Sequence, residues 1–246
     1  MIACAARTGS TMLVRTLRGH PDLVMHGEVW GDTMVGLDGP LAAACADPAT
    51  HAELEALRFR DPVAALERFM EAHGARAVGF KLKFDELVRA QWAPLRALLE
   101  ADERLGIVFL HRRDLLRRYL SHQVVLRQTG VTVVAAGATP PPVQPFAIDV
   151  DDLLRDIVQT RARTHAFERS FAAHPCLHVD YESLAADPQE ECARVYRFLG
   201  LDSRPVRVAT EKIVRQSPYE LILNHDEVRA ALVAAGEDDS AGDAAQ

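Results

Sequence analysis

Ile2-Ala3-Cys4-Ala5-Ala6-Arg7-Thr8-Gly9-Ser10-Thr11 opens the chain, and its reading decides the fold. The β-prone residues Ile2 to Ala6 predict a strand, and Arg7 to Thr11 a tight loop. Met12, Leu13, Val14 and Leu17 then follow with helix-like spacing until Gly19-His20-Pro21 stops the helix. A loop joining a strand to a helix aims its backbone N–H groups where the free N–H groups of the first helical turn also point, and the helix dipole favours an anion there. The segment therefore predicts a phosphate or sulfate site, with Arg7 as its cation and Glu28 as a nearby carboxylate. It lacks Gly-Lys followed by Ser or Thr, so it does not match the loop that holds a nucleoside triphosphate with Mg²⁺.

The same arrangement recurs downstream. Ile107-Val108-Phe109-Leu110 is an unbroken apolar run, as expected of a parallel strand buried on both faces, and a helix is predicted from about Arg113 to Arg127. Further short strands are expected at Leu23 to Met25, Ala77 to Phe84 and Cys176 to Val179. The Ala77 to Phe84 strand puts Lys81 and Lys83 on one face through its period of two. Helices are expected in two pieces between Leu41 and Gly74, broken near Asp61-Pro62, and at Pro94 to Asp102, Val150 to Ala173 and Pro188 to Leu199. Thr129 to Phe146, with Pro140-Pro141-Pro142, reads as a loop or lid. Alternating strands and helices predict an α/β, P-loop-like three-layer fold, a central mainly parallel sheet flanked by helices. Ligands in such folds collect at the carboxyl ends of the strands.

Bulk properties narrow the classes. A chain of 246 residues, 48% hydrophobic and 26% charged, is long enough for one well-packed domain, expected over 1–235 with an acidic disordered tail at 236–246. The net charge of −7 gives no support to nucleic-acid binding, so the basic cluster at Arg112 to Arg118 reads as a local anion site. Cys4, Cys45, Cys176 and Cys192 are scattered without a CxxC pair and read as free buried thiols; no metal centre is expected. The chain begins almost directly in a strand and has no window as long as a membrane span, which suggests a soluble cytoplasmic protein. Oligomeric state is not legible.

If Arg113 opens its helix, Arg117 and Ser121 follow on one stripe, with Arg113 and Ser121 about 12 Å apart along the axis. A planar guanidinium can clasp a phosphate through two charge-assisted hydrogen bonds and a Ser hydroxyl can add another.

The two anion motifs together resemble those of sulfotransferases that use 3′-phosphoadenosine 5′-phosphosulfate (PAPS). Arg7-Thr8-Gly9-Ser10-Thr11 is similar to that family's phosphosulfate loop, and Arg113 through Ser121 to its 3′-phosphate site. Gly79-Phe80-Lys81-Leu82-Lys83, Asp180-Tyr181-Glu182-Ser183-Leu184 and Asp187-Pro188 through Phe198-Leu199-Gly200 continue the likeness. It is closer to carbohydrate and bacterial members than to the cytosolic aryl and steroid group, which has Lys where Arg7 stands and a late Arg-Lys-Gly segment absent here. Lys212, Arg215 and Gln216 are candidates for closing over the nucleotide in its place.

The resemblance implies PAPS as co-substrate, no metal, and a hydroxyl acceptor on a carbohydrate or small metabolite. It assigns donor binding to Arg7, Thr8, Gly9, Ser10, Thr11, Met12, Arg113 and Ser121. Glu28 becomes the general base, and Arg7 and Lys81 stabilise developing charge, Lys83 pointing the same way as Lys81. His26 is a fallback base; His111, His122 and Trp30 read as structural. A nucleotide-dependent kinase and a non-catalytic nucleotide-binding protein are the competing readings, the first weakened by the missing Gly-Lys-Ser/Thr.

Overall fold

The computed structural model describes residues 1–72 and 74–237. They form two compact units, 1–111 with 164–209, and 112–163 with 210–237. Of the expected tail, Gly236 ends a helical turn and Glu237 is ion-paired with Arg161; 238–246 lie outside the described residues.

The first unit is built on five parallel strands: β1 (Ile2–Cys4), β2 (Leu23–Glu28), β3 (Ala77–Lys83), β4 (Ile107–His111) and β5 (Cys176–Asp180). Their spatial order is β2-β3-β1-β4-β5. The sheet is all parallel, in line with the α/β expectation. Each strand alternates between two cores because successive side chains leave opposite faces. Ile2, Cys4, Val108 and Leu110 pack with Leu13, Val14 and Leu17 of the Ser10–Leu17 helix and with Val195 and Tyr196 of Pro188–Phe198. Ala3, Phe80, Leu82, Ile107 and Phe109 pack on the other face with Trp30, Phe69, Trp92, Phe167 and Phe171. Trp30 is fully buried there, a core residue as expected. Burial of side chains of this size on both faces stabilises by roughly 1.5–3 kcal/mol each.

Three helices begin Asp-Pro: Pro48–Arg60, Pro62–Phe69 and Pro188–Phe198. In each the Asp carboxylate accepts an N–H of the first turn, and the Pro occupies a position whose N–H would be unpaired in any case. This signature explains the break read at Asp61-Pro62.

The second unit carries the Leu115–Val124 helix, the first turns of Val150–Ser170 and the His225–Ala234 helix, packed through Tyr119, Leu120, Val124, Leu153, Ile157, Val228 and Leu232. Tyr119 donates to Asp152 at 2.8 Å, and Arg118 pairs with Asp156. Val134–Ala135 and Thr210–Glu211 form a short antiparallel pair, so the segment read as a loop contains a strand.

One boundary corrects the sequence reading. Arg113 does not open the helix, which starts at Leu115 with Asp114 as its cap; the Asp114 carboxylate accepts the Arg117 N–H at 2.7 Å. An Asp two residues after Arg112 is a far better cap than either arginine, so the helix registers on it. Arg113 therefore stands exposed in the preceding turn, while Ser121 is buried within the helix. The helix then passes through a π turn, Val125–Thr129, and ends at Gly130, whose φ of 62° suits a residue without Cβ.

Candidate active site

Strand β1 delivers the chain into a loop whose backbone turns left-handed at Arg7, φ 66°, and again at Gly9, φ 82°. A left-handed arginine is uncommon and is held by its surroundings. Thr8 helps to hold it: its hydroxyl donates to the Ala5 carbonyl at 2.9 Å. Gly9 is the N-cap of Ser10–Leu17 and, lacking a side chain, leaves that end of the helix uncapped; its first turn holds no acidic residue. An anion is the complementary occupant of such a terminus. Thr8 and Ser10 are buried, and Arg7, Gly9, Thr11 and Met12 are partly exposed.

Gly9 is fixed by a second constraint. A Cβ there would lie 2.3 Å from Cδ2 of Tyr181, the residue that follows β5, so the tyrosine ring lies directly on the loop. Tyr181 belongs to the Asp180–Leu184 motif, and its place against Gly9 follows from the fold and from no local spacing.

Glu28 and the two lysines meet through a bulge. Regular pairing of β2 with β3 runs from Leu23 with Ala77 to His26 with Phe80, and then skips, so that Glu28 pairs with Lys81. Without the skip Glu28 would pair with Leu82 and face the Phe80–Leu82 core. The extra residue is Gly27; a Cβ on it would meet the Val35 carbonyl oxygen at 2.9 Å, and its N–H donates to the Gly36 carbonyl at 2.6 Å. A bulge thus rotates Glu28 onto the face of Ser10–Leu17, where Lys81 and Lys83 also point because they register with Ile2 and Cys4.

Lys81 Nζ donates to Glu28 Oε1 at 2.5 Å and to Thr11 Oγ1 at 3.2 Å. Lys83 Nζ lies 2.8 Å from Glu28 Oε2 and 3.0 Å from Glu86 Oε1. Lys81 is only 4% exposed, so its charge has left water and is offset chiefly by Glu28. Burial pushes the Glu28 carboxyl up, but Lys81 and then Lys83 outweigh it and hold the group at about 2. Burial would lower Lys83, yet Glu86 and Glu28 raise it above the ordinary lysine range. The structure therefore brings Glu28, Lys81, Lys83 and Thr11 together, while Arg18 turns to Asp38 at 3.7 Å.

His26 is not in this cluster. Its Nδ1 accepts the Asp38 N–H at 3.1 Å, which leaves Nε2 to donate to the Phe69 carbonyl at 2.9 Å. Burial lowers its pKa. Both nitrogens are spent on backbone in the opposite core, so the fallback base is a structural histidine. In the second unit Arg215 pairs with Glu211 at 3.0 Å and Gln216 donates to the Val143 carbonyl at 3.2 Å.

The sulfotransferase family model matches residues 1–205, most of the chain. The protein belongs to the sulfotransferase family. Among solved structures, a sulfotransferase from Alicyclobacillus acidocaldarius superposes with a TM-score of 0.52 at 17% identity, over 98% of this chain and 97% of that one. The sulfotransferase domain of the Synechococcus PCC 7002 olefin synthase gives 0.48 at 21%, over 82% and 72%. Mouse sulfotransferase SULT7A1 complexed with PAP gives 0.46 at 11%, over 83% and 58%. The first likeness supports the shared fold. No curated protein sequence matches. As a sulfotransferase the chain is an enzyme of sulfuryl transfer, and among its described residues no helix is long and apolar enough to cross a membrane.

This sulfotransferase differs from its sequence reading in its thiols and imidazoles. Cys4 and Cys192 are buried as expected, but Cys45 is partly exposed and Cys176 exposed. His111 and His178 lie together with Glu168, from β4, β5 and the end of Val150–Ser170. The local signal, His165-Ala166-Phe167-Glu168, was present in the sequence and passed over; its partners come from strands distant along the chain.

Proposed function

We propose that this sulfotransferase transfers the sulfuryl group of PAPS to a hydroxyl of a carbohydrate or small metabolite, with Glu28 as general base. The observation that carries this reading is the single lysine shared between the proposed base and the anion loop: Lys81 bonds to Glu28 and to Thr11 in the first turn of the loop helix. Arg7, the amides of Thr8 to Thr11 and Met12 receive the 5′-phosphosulfate. Arg113 and Ser121 are assigned its 3′-phosphate.

In the reaction the acceptor oxygen attacks sulfur in line, forming the new O–S bond as the S–O bond to phosphate breaks. The hydroxyl proton passes to Glu28, and the electron pair of the broken bond leaves on the phosphate oxygen. Arg7, Lys81 and the loop amides face that growing charge. A carboxylate at about 2 is a weak base as it stands. The anionic donor remedies this: it competes for the Lys81 ammonium, which already reaches Thr11, and as Lys81 turns to the donor Glu28 loses its closest cation and becomes more basic. The donor therefore arms its own base.

Purified protein given PAPS and a panel of sugar, phenol and alcohol acceptors should release 3′-phosphoadenosine 5′-phosphate with sulfated product. Failure to bind that nucleotide would reject the reading; binding without turnover on every acceptor would favour a non-catalytic role.

A further inference from the structure

The sulfuryl-transfer chemistry leaves unused a cluster of lone-pair donors in the first unit. His111 ends β4, and His178 on β5 registers with Phe109, two residues earlier on β4. Both imidazoles therefore stand on the Phe109 face of the sheet, opposite Lys81 and Glu28. His111 Nε2 and His178 Nδ1 are 3.0 Å apart with the rings inclined by only 8°. Glu168 Oε1 lies 3.5 Å from the first nitrogen and 3.7 Å from the second.

We propose that His111, His178 and Glu168 form a binding site for a divalent ion of the zinc type. The three donor atoms make a triangle with edges of 3.0, 3.5 and 3.7 Å. Ligands bound tetrahedrally at about 2.0–2.1 Å stand about 3.3–3.4 Å apart, so the triangle already has the dimensions of one face of the tetrahedron. The two ring nitrogens lie within hydrogen-bond distance at 3.0 Å, and an ion bound at about 2.0–2.1 Å from both sits off the line that joins them, on the side of Glu168, exchanging that contact for two metal bonds. Imidazole donors favour Zn²⁺, Co²⁺, Ni²⁺ and Cu²⁺ over Mg²⁺ and Ca²⁺, which take oxygen ligands. His165 Nδ1 lies 3.3 Å from Glu168 Oε2 and holds the carboxylate by its other oxygen. The fourth position is left to water. His178 and His165 are exposed, so the ion can enter from solvent.

The test uses full-length, tag-free protein stripped with chelator and titrated with Co²⁺, read by visible absorption. The expected result is one equivalent of Co²⁺ with the strong bands of a low-coordinate ion, displaced by Zn²⁺ and untouched by excess Mg²⁺. His178→Ala and Glu168→Gln should each weaken binding at least tenfold, while His165→Ala weakens it less. His178 is 57% exposed, so its truncation should leave thermal unfolding of the metal-free protein, and sulfuryl transfer, unchanged. Absent bands, or affinity equal to wild type in both His178→Ala and Glu168→Gln, would overturn the site without touching the transferase reading.

Discussion

Two carboxylates at the carboxyl end of one sheet have opposite company. Glu28, on the face of Ser10–Leu17, is clamped by two ammonium groups; Glu168, on the other face, is approached by imidazoles. Ammonium groups carry protons and no lone pairs, so the first cluster is organised to receive an anion. Neutral imidazoles offer lone pairs, so the second is organised around a cation. The sheet is the same and the strands are neighbours; period-two alternation sorts the two chemistries onto its two faces.

The sharpest way to break this contrast is to neutralise the clamped carboxylate. Glu28→Gln should lower kcat by about 10²- to 10⁴-fold, the range of a lost general base, while donor affinity holds or rises because Lys81 is freed. Lys81→Met comes next, with a loss of about 10²- to 10³-fold in kcat/KM as one charge-stabilising donor disappears. His178→Ala, on the opposite face, should leave both constants unchanged; a parallel loss there would erase the distinction between the clusters.

Smaller effects test the loop. Gly9→Ala places a Cβ against the Tyr181 ring at a left-handed φ, and should weaken binding of 3′-phosphoadenosine 5′-phosphate about tenfold while destabilising the fold by roughly 1–3 kcal/mol. Arg113→Ala should weaken the same nucleotide by a similar factor; equal affinity in calorimetry would remove Arg113 from the donor site.

The clamp also fixes the sign of a stability change with pH. Glu28 titrates at about 2 when folded against an ordinary 4.5, so its contribution is complete above 4.5 and is lost as pH falls through 2. Denaturant unfolding of wild type and Glu28→Gln should therefore differ by on the order of 3 kcal/mol at neutral pH and converge in that acid window. A constant difference would show that Glu28 does not owe its ionisation to the lysines.

Much of this was legible in the chain. The apolar run Ile107 to Leu110 announced a strand buried on both faces, and period-two alternation put Lys81 and Lys83 on one face. What escaped were features set by competition or by distance. Asp114 outcompeted Arg113 for the start of its helix, a matter of capping rather than periodicity. The Gly27 bulge, which turns Glu28 out of the core, depends on the approach of Val35 and Gly36 and leaves no period in the sequence. His111 and His178 are 67 residues apart and meet only through the β4–β5 register, whereas the HxxE pair at His165 and Glu168 was local and readable.

Lys81 is shared between the proposed base and the loop proposed to hold the donor. Carbon-13 NMR of the Glu28 carboxyl, titrated with and without bound 3′-phosphoadenosine 5′-phosphate, addresses that directly. The free protein should show no Glu28 titration down to the neighbourhood of pH 2, and the nucleotide complex should show its midpoint moved up toward the ordinary carboxylate range. An unchanged midpoint in the complex would mean that the lysine stays with Glu28 and that the donor does not arm the base.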